Sequence, residues 1–132
     1  MGIKIAILNP NGLELSTQRA MEYLIVNFSH QNIRVTCCLY TNQIPEADLM
    51  IGTYEKSGII RELVDSGQIE LALEPEAITI IKIQIGEKPT LLACAFDTRG
   101  LNYTLYELAE RINAQSLPAI YRHIQERPFL KR

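Results

Sequence analysis

The stretch Leu91-Leu92-Ala93-Cys94-Ala95-Phe96-Asp97-Thr98-Arg99-Gly100-Leu101 decides the fold. Its first half is apolar and reads with Thr90 as a strand. Asp97 to Gly100 then breaks the run, and Leu101, Leu105, Leu108 and Ile112 recur at helical spacing, which predicts a long helix with Glu107, Glu110 and Arg111 facing out. Upstream, Ala77 to Ile85 alternates as a second strand, and Gly86-Glu87-Lys88-Pro89 turns it back onto Thr90–Phe96. That hairpin forces antiparallel pairing into the sheet.

The N-terminal half supplies the other elements. Ile3, Ile5 and Ile7 alternate with Lys4, Ala6 and Leu8 as an opening strand, which Asn9-Pro10-Asn11-Gly12 stops. Ser16 or Thr17 is placed to cap a helix carrying Ala20, Met21, Leu24, Ile25 and Phe28 on one face. A strand follows over Ile33–Tyr40, a loop over Asn42–Pro45, and a short strand over Ala47–Gly52. Ser57 to Val64 reads as a short helix stopped by Asp65-Ser66-Gly67. The order β-α-β-β-(α)-β-β-α predicts an α/β (α+β) two-layer sandwich, a mixed sheet with helices packed on one face.

Composition bounds the function. The chain has 132 residues, 47% hydrophobic and 21% charged, one domain's worth of a packed globule. Thirteen Lys+Arg against fifteen Asp+Glu leave a net charge of −2, which offers no broad basic face for nucleic acid or an anionic membrane. No apolar run approaches the eighteen or so residues of a membrane span, and the first residues read as a strand, not a secretory signal. Cys37, Cys38 and Cys94 show no C-x-x-C spacing and fall in strand-like segments, so they read as buried free thiols, which favour a reducing compartment such as the cytoplasm.

Motifs of catalysis are scarce. His30 and His123 lie far apart with no third ligand at a fixed spacing, so no metal site is expected, and His30 suits a helix C-terminus. No G-x-S-x-G elbow frames a serine. Asn9-Pro10-Asn11-Gly12 lacks the glycines and lysine of a phosphate loop and reads as a turn. The carboxylate pairs Glu74/Glu76 and Glu46/Asp48 have no aromatic shelf beside them and read as solvated acids. No catalytic residue and no cofactor are therefore assigned. Asp97-x-Arg99-Gly100 is the most pointed constellation, with two readings. It is either a lock of strand to helix, by cap, clamp and spacer, or an anion or sugar site at the mouth of the sheet.

Three segments carry a resemblance: Ala47-Asp48-Leu49-Met50-Ile51-Gly52, Glu76-Ala77-Ile78-Thr79-Ile80, and Ala93 through Leu108. They resemble the N-terminal domain that precedes the catalytic barrel in β-N-acetylhexosaminidases and α-glucuronidases, whose pattern is "A-D-I-x-I-G", "E-x-Y-x-I" and "G-x-D-x-R-G-x-x-Y-G-x-Y-x-L". Ala95 and Thr104 stand where that family has glycine, and Ala77-Ile78 where it has an aromatic. Ile124 to Arg132 looks like the linker into the barrel. The resemblance implies a domain over 1–115 and a linker over 116–132 toward a barrel absent here.

It also implies that the domain is a non-catalytic support for a glycoside hydrolase. Asp97, Arg99 and Gly100 would be its junction residues, and Tyr103 and Tyr106 would face the sheet or the partner domain. An apolar docking patch is expected around Ile120, Tyr121 and Ile124. The rival readings are a free-standing small-ligand or carbohydrate-binding module using residues 9–12 and 97–100, and a homo-oligomer paired through a sheet edge.

Overall fold

A computed structural model describes residues 2–39, 46–71, 79–85 and 88–114. The Asn42–Pro45 loop, the Glu74/Glu76 pair, Ala77, Gly86 and Glu87 of the turn, and the 116–132 linker with Ile120, Tyr121, His123 and Ile124 lie outside the described residues. In chain order the elements are β1 (Gly2–Ile7), α1 (Leu15–Ser29), β2 (Arg34–Leu39), β3 (Leu49–Thr53), α2 (Gly58–Asp65), β4 (Thr79–Ile85), β5 (Lys88–Ala95) and α3 (Thr98–Ala114). This is the expected order, in the expected α/β class.

The five strands form one sheet in the order β2-β1-β3-β5-β4. Neighbours are parallel up to β5, and β4 runs antiparallel to it, with Thr79 opposite Cys94 and Ile85 opposite Lys88. The hairpin thus makes the sheet mixed. Period-two alternation sorts the side chains between two cores. Ile5, Leu49, Ile51, Ile80, Leu91 and Ala93 face α1 and α3, which bury Ala20, Met21, Leu24 and Phe28 from one helix and Leu101, Leu105, Leu108 and Ile112 from the other. All four positions of the α3 stripe are at most 1% exposed. Sheet and long-helix pair form the two-layer sandwich.

The short helix departs from that pattern. Ile59, Ile60 and Leu63 of α2 cluster with Ala6, Leu8, Met50, Ile81, Leu92 and Cys94, the alternate positions of the same strands. It therefore packs on the reverse face, where those apolar alternates would otherwise meet water. Gly52 permits this closeness, because a Cβ there would lie 3.1 Å from Leu8 Cβ and 3.2 Å from Ile60 Cγ1.

Two local expectations are corrected. Neither Ser16 nor Thr17 caps α1. Its N-cap is Glu14, which makes no side-chain capping bond. The two hydroxyls instead meet Asn102 of α3, Thr17 Oγ1 donating to Oδ1 at 2.5 Å and Asn102 Nδ2 donating to Ser16 Oγ at 2.9 Å. Nor are all the thiols buried. Cys94, in a central strand, is buried, Cys38 is half-buried and Cys37 is exposed. The reason is position: among the described residues β2 is an edge strand, with only β1 beside it.

Candidate functional site

The four parallel strands end on one side of the sheet, and the loops leaving β1, β3 and β5 lead directly into α1, α2 and α3. In open α/β sheets, this carboxyl edge is where ligands bind, at the point where the chain turns opposite ways. Here β1 sends the chain outward to β2, while β3 lies on its other side.

Asn9 ties this edge together. Its Oδ1 accepts from Thr53 N at 2.9 Å and sits 3.4 Å from Thr53 Oγ1. Its carbonyl accepts from Gly12 N at 3.0 Å, and Gly12 takes φ +81°, a conformation suited to glycine. The Asn-Pro-Asn-Gly segment is thus a turn, whose first side chain fastens the end of β1 to the end of β3. A cavity of about 300 Å³ opens beside it, lined by Pro10, Asn11, Gly12, Leu13, Glu14 and Lys56. Lys56 Nζ lies 3.3 Å from Glu14 Oε1 across this opening. A hydrogen bond from the Thr98 hydroxyl, aided by Lys56, holds the Glu14 carboxyl below its ordinary range.

At the end of β5, Asp97 Oδ1 accepts from Gly100 N at 3.0 Å, the N-cap geometry for α3. Gly100 is buried at the first turn, and its carbonyl accepts from Thr104 Oγ1 at 2.9 Å. Asp97 and Gly100 therefore work as the cap and spacer of the lock. Arg99 is exposed on the same turn.

Tyr103 and Tyr106 turn away from the sheet, at 41% and 43% exposure. The Tyr106 ring lies 5.7 Å from that of Tyr23 on α1, whose hydroxyl donates to Glu110 Oε1 at 3.0 Å. Helical spacing puts Tyr103, Tyr106 and Glu110 along one ridge of α3, and Tyr23 and Val26 along the facing ridge of α1. Val26 is 47% exposed. The seam between the two long helices thus presents an outward aromatic row. Tyr23 was not singled out in the sequence; its place one position from the buried stripe is the signal that it flanks the seam.

A second aromatic pair was also missed. Tyr54, leaving β3, stacks on Phe96, leaving β5, at 5.5 Å between centroids and 14° between planes. Arg61 lies 5.4 Å over the Tyr54 ring and donates to the carbonyls of Tyr54 and Glu55 at 3.1 and 2.7 Å. Tyr54 Oη donates to Asp65 Oδ1 at 2.8 Å, and that bond pushes its phenol above the ordinary range. Neither aromatic reveals itself in sequence, because the adjacency comes from the β3–β5 ladder.

Of the other candidates, Glu46 is exposed, whereas Asp48 is half-buried and its Oδ2 accepts from Lys4 N at 2.8 Å. Asp48 is thus a backbone clamp on β1, not a freely solvated acid. His30 closes α1 as its C-cap. Among the described residues no cluster of three or more His, Cys, Asp or Glu is placed to hold a metal, and no helix is long and apolar enough to cross a membrane. No protein-family model matches the chain, and no curated protein matches it in sequence.

Proposed function

We propose that this chain is a non-catalytic accessory domain of a carbohydrate-active glycoside hydrolase, docking on the catalytic domain through the outer seam of α1 and α3. The observation that carries this reading is the outward row of Tyr23, Tyr103 and Tyr106, each close to two-fifths exposed. Tyrosine is among the residues enriched at the buried centre of protein interfaces, and three of them along one seam leave an aromatic surface that a partner can cover. The engagement of Asp97 and Gly100 in holding β5 to α3 agrees with a supporting role for the motif that carries the family resemblance.

The test begins with an antibody against the chain, used to measure the native product in its own cells. A product well above 15.0 kDa that cleaves aryl N-acetylhexosaminides or aryl glucuronides supports the reading. In that product, Tyr103→Ala with Tyr106→Ala lowers the melting temperature of the catalytic unit, and lowers it further than that of the isolated domain, which loses the Tyr23–Tyr106 ring contact. A 15.0 kDa product overturns it.

A second reading rests on the cavity beside Asn9. Its mixed lining of backbone, Glu14 and Lys56 suits a small polar ligand such as a sugar. Calorimetric titration with acidic and N-acetylated sugars tests it, and absence of heat at millimolar concentration counts against it.

A further inference from the structure

Among the described residues the sheet has two edges, β2 and β4, and they differ in how they are protected. Edge strands expose unpaired N–H and C=O groups, and proteins blunt them with lysine, proline, bulges or inward charges. β4 carries Lys82 at its middle. β2, Arg34-Val35-Thr36-Cys37-Cys38-Leu39, has neither proline nor lysine, and its only charge stands at its first residue. Its register against β1 runs unbroken from Arg34 to Leu39, so no bulge twists the edge away. Leu39 is 51% exposed and Cys37 is exposed beside it. Such an edge offers its unpaired N–H and C=O groups to an extended strand.

We infer that two copies of the chain pair through β2, antiparallel across a two-fold axis normal to the sheet, with Cys37 facing Cys37 of the second copy. Symmetry fixes most of this. An axis normal to the sheet keeps each face continuous, so residues that oppose one another must lie on the same face. Val35, Cys37 and Leu39 sit opposite Ile3, Ile5 and Ile7 of β1, on the face covered by α1, while Arg34, Thr36 and Cys38 lie on the other. Odd residues therefore meet odd, and even meet even.

Two centred registers satisfy this. One opposes Thr36 to itself, Val35 to Cys37 and Arg34 to Cys38, and leaves Leu39 uncovered. The other opposes Cys37 to itself, Thr36 to Cys38 and Val35 to Leu39. It joins the two apolar rows into one, covers Leu39 and leaves Arg34 outside the paired segment. The second register is therefore the one the side chains favour. Pairing then makes a continuous ten-stranded sheet.

The register has a chemical signature. Directly opposed antiparallel residues have Cα atoms about 4.5–5.5 Å apart, inside the roughly 4.4–6.8 Å that a disulfide spans. The two Cys38 residues are offset by two positions along each strand, which separates them by about 8 Å. Oxidation therefore joins the copies through Cys37 alone, each thiol giving up a proton and an electron to dioxygen by way of a copper–phenanthroline catalyst.

Sedimentation equilibrium up to about 200 µM tests the pairing, since a small interface binds weakly. The expected mass is twice 15.0 kDa at the upper concentrations. Cys37→Ser keeps the dimer and abolishes the cross-link, and Cys38→Ser keeps both. Cys37→Lys places lysine against lysine on the axis and gives a monomer whose circular dichroism spectrum remains that of the folded chain. A monomer at every concentration overturns the inference. So does a dimer that survives Cys37→Lys, or one that cross-links through Cys38.

Discussion

Replacing Asn9 with alanine tests the claim that this side chain fastens the carboxyl edge. Asn9 is 4% exposed and Thr53 is 1% exposed, so the bond from Thr53 N to Asn9 Oδ1 at 2.9 Å is out of reach of water. Alanine removes the acceptor and leaves the buried Thr53 N–H without one. A donor orphaned in this way costs about 1–3 kcal/mol. For a chain of 132 residues, a loss of 1 kcal/mol lowers Tm by roughly 3–5 °C, between the values for smaller and larger domains. The expected fall at the midpoint of that cost is about 6–10 °C. Thr53→Val separates the amide from the hydroxyl: Thr53 Oγ1 is 3.4 Å from Asn9 Oδ1, the outer limit of a bond, so its loss costs well under half as much. Thermal melts give the ranking, and amide hydrogen exchange at Thr53 gives the mechanism. Equal protection of the Thr53 amide in wild type and Asn9→Ala would show that Asn9 does not fasten this edge, whatever the melting temperatures do.

The remaining expectations concern the other junctions and the thiols. Asp97→Ala removes the cap on Gly100 N and costs about 1 kcal/mol, whereas Asp97→Asn keeps an acceptor and stays within a few tenths; urea unfolding distinguishes them. Burial pushes the Cys94 thiol from 9.0 up to about 12, so stability is fully present below pH 9.0 and falls as pH rises toward 12, where the unfolded chain ionises and the folded one does not. Native protein accordingly leaves Cys94 unlabelled by Ellman's reagent while Cys37 reacts; equal labelling rates would contradict the burial. Glu14 is the opposite case. The Thr98 hydroxyl and Lys56 lower its carboxyl from 4.5, so its contribution is present above that pH and disappears as pH falls below it. Glu14→Gln flattens that part of the acid limb of a urea-midpoint curve; a curve parallel to wild type through pH 4.5 would argue against the contact.

The sequence was most legible where one periodicity ran without competition. The α3 stripe of Leu101, Leu105, Leu108 and Ile112 has a single spacing, and every member lies in the core. Ser57 stands just before an apolar helical pattern and accepts from Ile60 N at 3.2 Å, as a local cap should. Asp97 succeeded for the same reason, since a cap is decided within three residues. Ser16 and Thr17 failed because their partner, Asn102, is more than eighty positions away, and a hydroxyl at a helix start looks the same whichever partner it finds. The thiols failed through topology: the apolar setting of Cys37 is that of a strand, but local sequence does not state whether the strand is central or at an edge. The face chosen by α2 was hidden likewise. Strands buried on both sides, as β3 is at all five positions, show no polar alternation to reveal that a second layer is needed. The aromatic pairs Tyr23–Tyr106 and Tyr54–Phe96 come from helix and strand neighbours that only the assembled sheet defines.

The seam between α1 and α3 joins the two kinds of residue that the sequence presents separately. Along its length, polar rungs cross from one helix to the other. Thr17 and Ser16 meet Asn102 near the helix starts, Tyr23 meets Glu110 beyond them, and Gln31 Nε2 donates to the carbonyl of Ile112 near the end. Below the rungs lies the core of Leu24, Phe28, Leu105 and Leu108. Above them stand the tyrosines. Side chains that must be immobilised on binding subtract from affinity. A face spanning two helices held by rungs at top, middle and bottom is ordered beforehand. The hydroxyls absent from the cap of α1 are thus found in the seam, where they hold Tyr23 and Tyr106 in a fixed relation. The β2 edge lies across β1 from this seam, on the far side of α1 from α3. On the proposed β2 pairing, the aromatic seam of each copy thus stays clear of the strand interface.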